Sequence, residues 1–307
     1  MKKSFISLIF ALSGAVFYSL NQIFNKKVVL ALGTLPAVSV NFFFLTVFDF
    51  LFCYIFEGGN IHSCLFFPLM ANPPAFKELL LLSVVGTVAS LSLYESFKHL
   101  PLGVAVTLAN LSPIFGAVFV FLFEGVLPPP GKLAAVFLIL FAVYLVVSPI
   151  GVGRDYSFRP LAWVLPLITA AGWGFFAWET FRLVRFYNLS PFVVAFYTSL
   201  FMWLIFTVLS LFVWKSFYYE LRKFFKNRQL LRWSLLGSLL TSLGFITSTV
   251  AYRWANAEDV PVIEAVISLS TPLTALFSFL ILKEKLSKRQ WAGIVLSFVG
   301  LLIFFFS

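Results

Sequence analysis

Apolar runs of about twenty residues recur along this chain, parted by short polar or Pro/Gly-rich breaks. A run of that length crosses ~30 Å of hydrocarbon as a helix. The pattern predicts ten such helices, at roughly 5–25, 35–56, 79–98, 102–123, 132–149, 160–181, 191–213, 231–254, 260–282 and 290–306. The breaks carry turn chemistry: Gly58-Gly59-Asn60, Asn72-Pro73-Pro74, the three prolines before Gly131, and the stretch from Gly151 to Asp155. One further segment, 215–229, interleaves five Lys/Arg with aromatic residues and predicts an amphipathic helix lying at the headgroups.

The pattern repeats. Tyr94 answers to Tyr252, Pro113 to Pro272, Glu124 to Glu284, Ala135 to Gly293 and Ala142 to Gly300, at offsets of 158 to 160 residues. Gly14 pairs with Gly172, and Pro36 with Pro191. Five spans fall in each half, 5–150 and 160–306. Because five is odd, the second half must enter the membrane from the opposite side. The expected fold is therefore all-α: ten transmembrane helices built as two inverted five-helix repeats. Small residues at 293 and 300, echoed at 135 and 142, give a small face that lets helices approach closely, inside the protomer or between protomers.

Composition agrees with that reading. The chain is 61% hydrophobic and 11% charged, with 41 Phe among its 307 residues; soluble domains carry about 25% charged residues. The net charge of +10 is read as loop charge at the membrane surface and not as a nucleic-acid footprint. Placing the N-terminus in the cytoplasm puts seven Lys/Arg on the cytoplasmic side (Lys2, Lys3, Lys77, Lys132, Arg182, Arg185 and Arg253) and the other fifteen opposite. The positive-inside rule thus favours both termini outside. Cys53 and Cys64 imply no disulfide framework, and His62 and His99 cannot build a His-rich metal site. No cofactor is expected. Residues 5–24 are too long for a secretory h-region and precede Lys26-Lys27, which predicts a retained span.

The Tyr-bearing third and eighth spans, the Pro within the fourth and ninth, the acidic residue closing each of these, and the small-residue fifth and tenth spans resemble the EamA-type ten-helix members of the drug/metabolite transporter superfamily. The stretch LKEKLSKRQWAGIVLSFVG carries the likeness most closely. In the first half, Phe123-Glu124-Gly125 replaces the Gly-Glu-Arg run such proteins often show. The resemblance implies a secondary transporter of small organic solutes in a bacterial-type inner (plasma) membrane, with both termini cytoplasmic. That orientation opposes the charge count.

Polar groups inside spans need a reason, since a charge at the helix centre costs ~2.5–3.5 kcal/mol on insertion scales. Asn21, Tyr94, Glu95, Asn110, Trp178, Glu179, Tyr252, Arg253 and Glu264 are the candidates to line a solute cavity. Glu95 and Arg253, each following a repeat Tyr, could meet as an ion pair, gate the cavity or bind the two ends of a zwitterion; they could equally be separate snorkelling residues. Pro113 and Pro272 free backbone carbonyls one turn upstream, as in broken helices that line midplane sites. Glu264, at the head of the span carrying Pro272, is the first choice for proton coupling, and Asp49 the second. The expected cavity draws on the first, third, fourth, sixth, eighth and ninth spans, with the fifth and tenth peripheral.

The expected partners are a small-molecule solute, the bilayer and protons, and no nucleic acid. The expected function is alternating-access transport of an amino acid or related metabolite. Two other classes compete: a membrane enzyme acting on a lipid-soluble substrate, and a passive channel. The enzyme would need clustered metal ligands or a nucleophile with its base, and the acidic and His residues are scattered. The channel would need a Gly-rich re-entrant filter or charged rings, and neither is visible.

Overall fold

Prolines set many of the helix starts. Pro has no amide hydrogen to lose and its φ is already helical, so it favours the first turn. In the computed structural model, which describes residues 2–59, 64, 72–96, 108–147, 160–212, 214–282 and 286–306, helices begin at Pro73, Pro130, Pro160 and Pro191. The helices are α1 (Lys2–Leu32), α2 (Thr34–Phe56), α3 (Pro73–Ser96), α4 (Ser112–Glu124), α5 (Pro130–Val147), α6 (Pro160–Arg185), α7 (Pro191–Leu211), α8 (Trp214–Lys226), α9 (Arg228–Arg253), α10 (Val260–Ser268), α11 (Ser270–Leu282) and α12 (Lys288–Phe306). Caps complete the ends. The Ser190 side chain accepts from the Phe192 amide, Asn227 accepts from the amides of Gln229 and Leu230, and Gly125 closes α4 in the left-handed region at φ 68°.

Among the described residues, five stretches are long and apolar enough to cross a membrane: Leu35–Phe56, Pro73–Ser96, Pro191–Ser210, Arg228–Arg253 and Ala257–Phe277. Shorter apolar helices cover Phe5–Asn21, Ser112–Glu124 and Pro130–Val146. The fourth span was expected from 102; its residues up to 107 lie outside the described set. The ninth span is two helices, α10 and α11, parted at Leu269. Large apolar side chains such as Leu122, Phe137, Val208 and Val295 point outward. An exposed apolar shell of this kind is what hydrocarbon stabilises and water would not.

The packing carries the repeat's two-fold symmetry. The first span packs on the eighth (α1 on α9), and the sixth packs on the third (α6 on α3). The fourth packs on the sixth, as the ninth packs on the first. Two further large contacts, second with seventh and fifth with tenth, map onto themselves. The repeat-related glycines show the same physics at atomic scale. A Cβ on Gly14 would stand 2.6 Å from Ser248 Oγ, and one on Gly172 would stand 2.7 Å from the Ala89 Cβ. Residues 248 and 89 are themselves repeat partners. The small face of α12 also meets its echo within the same chain: a Cβ on Gly293 would lie 2.7 Å from the Ala142 carbonyl, and one on Gly300 2.7 Å from Ile139. The two cysteines are buried free thiols whose sulfurs lie 2.9 Å apart.

Candidate functional site

Both prolines of the repeat stand just after a helix break. Pro113 lies in the first turn of α4, behind the turn at Asn110-Leu111; Pro272 lies in the first turn of α11, behind Leu269. Pro cannot donate to the preceding turn and disfavours a helical residue before it, so each span restarts there. The two breaks face each other. Asn110 Nδ2 donates to Thr271 Oγ1 at 3.0 Å, directly linking the first half to the second. About two turns earlier on the ninth span, the Glu264 carboxylate accepts from Ser112 Oγ at 3.1 Å and from the Tyr252 hydroxyl at 2.5 Å. Three spans, the fourth, eighth and ninth, therefore meet around one carboxylate.

A cavity of about 340 Å³ opens beside this meeting point, at the lower end of the range for small-molecule sites. Its polar wall includes Tyr18, Asn21, Asn41, Tyr94, Asn110 and Glu264, and its apolar wall Trp173, Phe176 and Phe245. Tyr18 fits because Gly244 leaves room: a Cβ there would stand 3.0 Å from the Tyr18 ring. Among the described residues, Glu264 is the only carboxylate in the lining, and none of the lining residues is basic. Two lining atoms, Asn21 Oδ1 and Thr180 Oγ1, are buried without a hydrogen-bond partner among the described residues. A buried polar atom left unpaired costs ~1–3 kcal/mol, so a ligand that pairs with it gains that much.

Of the residues singled out from the sequence, Asn21, Tyr94, Asn110, Tyr252 and Glu264 line the cavity; Glu95, Trp178, Glu179, Arg253 and Asp49 do not. Asp49 is fully buried between α2 and α9, where Ser242 Oγ donates to it. Glu95 occupies the last turn of α3, half-buried. Arg253 turns away to Asn188 Oδ1, 3.5 Å from its Nη2. Trp178 donates to Glu124 Oε1 at 3.2 Å, and Glu179 accepts from Arg182 at 2.9 Å. The second span contributes Asn41 and the seventh Met202, beyond the expected six, while the fifth and tenth stay outside. Hydropathy missed the polar stripe of α9, where Ser238, Thr241, Ser248 and Tyr252 recur at helical spacing and face the cavity. That spacing was the signal available.

At the end of the bundle where α3, α5, α7 and α10 begin, polar bonds tie one half to the other. Lys132 Nζ pairs with Asp259 Oδ1 at 2.6 Å and Glu258 Oε1 at 2.9 Å. Arg182 reaches Glu78 at 4.0 Å besides Glu179, and its guanidinium lies 4.8 Å over the Trp178 ring. Ser190 Oγ donates to Glu57. The cavity's polar residues on α1, α2 and α3 lie toward the other end. Among the described residues no three His, Cys, Asp or Glu side chains converge to hold a metal ion.

Two packed repeats of apolar, membrane-length helices around a central cavity define a polytopic membrane protein. The comparisons narrow the class. The family model for EamA-like transporters matches twice, at residues 5–148 and 161–306, and the chain belongs to that family. A crystal structure described only as that of a protein shares the fold, with a TM-score of 0.72, 13% identity and 97% of each chain covered. No curated protein matches the chain in sequence.

Proposed function

We propose that this chain is a secondary transporter that moves a small polar organic solute, an amino acid or related metabolite, by alternating access, with Glu264 as the group that couples flux to protons. The observation that carries the reading is the position of Glu264: one carboxylate, held by Tyr252 and Ser112, where the two broken spans of the repeat meet and at the wall of the cavity. With no basic side chain among the described lining residues, an ammonium or N–H donor on the solute is the natural partner for Glu264. Asn21, Thr180, Asn110 and Tyr94 supply hydrogen bonds for its other polar atoms, and Trp173 and Phe176 supply an apolar wall. A solute's carboxylate would then fall to neutral donors, since Arg253 lies outside. The same carboxylate can hold either a proton or a cationic solute, and competition between the two is the simplest form of coupling.

The test is flux in proteoliposomes. Purified protein should accumulate a labelled amino acid or amine in a saturable manner when an inward or outward proton gradient is imposed. Flux that never saturates and ignores the gradient would favour a channel and remove the coupling role.

A further inference from the structure

Helix α8 divides its surface three ways. Leu221 and Phe224 pack into the bundle with Val28, Val40 and Leu230. Tyr218 and Phe225 stand out from the bundle, 55% and 59% exposed. On the third face, Arg222, Lys223 and Lys226 follow one another at helical spacing, and Arg228 joins them across the short turn into α9. These four cations, with Tyr219, Asn227 and Gln229, form one concave pocket; among the described residues none that lines it is acidic. Glu220 touches its edge, with its carboxylate 3.7 Å from Lys223 Nζ, and Lys223 also donates to the Ala31 carbonyl at 3.2 Å. Arg222, Lys226 and Arg228 thus carry most of the pocket's charge toward a ligand.

We propose that this pocket is a binding site for the phosphodiester headgroup of an anionic phospholipid, docked on the outer side of α8. Three features converge on a lipid. The cations are concentrated in a concavity and not dispersed along a loop, and Arg suits the planar recognition of phosphate oxygens. Exposed Tyr218, Tyr219 and Phe225 are carried on the same short helix, so a molecule held by its phosphate has an apolar and aromatic surface beside it for its glycerol and acyl portions. The helix lies at the end of the spans, where α7 finishes and α9 starts, which is the depth of headgroups. The site is distinct from the solute cavity, shares no lining residue with it, and does not depend on the transport reading.

The experiment uses the full chain in phosphatidylcholine vesicles containing trace spin-labelled phosphatidylglycerol or spin-labelled phosphatidylcholine, and reads the motionally restricted fraction of each. The wild-type protein should retain phosphatidylglycerol preferentially, and R222Q/K226Q/R228Q should lose roughly tenfold of that preference or more, since each surface cation contributes separately. A control variant, K288Q/R289Q, removes two cations from the start of α12 and should keep the preference. Arg222→Lys should keep most of it. Inorganic phosphate at millimolar concentration should not displace the lipid; displacement would make the pocket a free-anion site. Equal retention of both lipids by the wild type, or equal loss in both variants, would overturn the proposal.

Discussion

Replacing Lys132 with alanine should open the end of the bundle that the ion pairs close. Lys132 belongs to the first half and Asp259 and Glu258 to the second, so under the proposed alternating-access mechanism the bond would hold only while that end is shut. The pair with Asp259 is nearly dry: the side chains are 12% and 4% exposed. Removing one partner of a buried pair strands the other and costs about 3–5 kcal/mol. Glu258 is 34% exposed, and Asp259 Oδ2 keeps the Asn256 amide at 3.1 Å, so the lower value applies. About 3 kcal/mol taken from the closed state alone shifts the closed-to-open ratio roughly 100-fold. Ala255, fully buried at this end, is the reporter. In a C53A/C64A background, Ala255→Cys should react slowly with a membrane-impermeant thiol reagent. Adding K132A should raise the rate by about two orders of magnitude, and K132R should not. Unchanged labelling together with a lowered melting temperature would mean that Lys132 only braces the fold.

Other consequences follow from single contacts. Asn21→Leu should raise the solute's KM about tenfold at unchanged expression, because the unpaired Oδ1 offered to the solute is gone; an unchanged KM would remove Asn21 from the site. Gly14→Ala and Gly172→Ala should destabilise by about 1–3 kcal/mol each, since each Cβ lands within 2.7 Å of a facing atom. Ser248→Ala should recover much of the first loss in a thermal melt, as Ser248 Oγ is the atom met; no recovery would contradict the contact. Asp49→Asn should keep proton-dependent flux, because Asp49 is buried away from the cavity beside Ser242; loss of gradient dependence would restore it as a coupling group.

The spans and their repeat were legible because hydrocarbon imposes length and because equivalent breakers sit at near-constant offsets. Pro113 and Pro272 also predicted broken helices, although nothing in the chain said that the two breaks would touch through Asn110 and Thr271. Faces were harder to read. Adjacent residues on a helix point about 100° apart, so Tyr94 and Tyr252 face the cavity while Glu95 and Arg253, one step on, do not. The repeat makes Asn21 and Glu179 equivalent in sequence, yet Asn21 is in the cavity wall and Glu179 is held by Arg182. An offset identifies partners; it does not fix which neighbour each one meets. Arg182 could not be read as the centre of that cluster, because Glu78 and Glu124 come from distant stretches. The α9 stripe was hidden for a different reason: Ser and Thr are only mildly polar, so they scarcely lower the mean hydropathy of a span, and a helix tolerates them because hydroxyls such as those of Thr241 and Ser248 bond back to the preceding turn.

The most direct test of the account is Glu264→Gln in proteoliposomes. Glutamine keeps the size of the side chain and an acceptor for one of the two hydroxyls, with its NH2 able to donate to the other, but it cannot exchange a proton at neutral pH. The variant should abolish accumulation driven by a proton gradient while solute-for-solute exchange through the cavity stays measurable. Full gradient-driven accumulation by Glu264→Gln, with the same pH dependence as the wild type, would contradict the assignment of Glu264 as the coupling group.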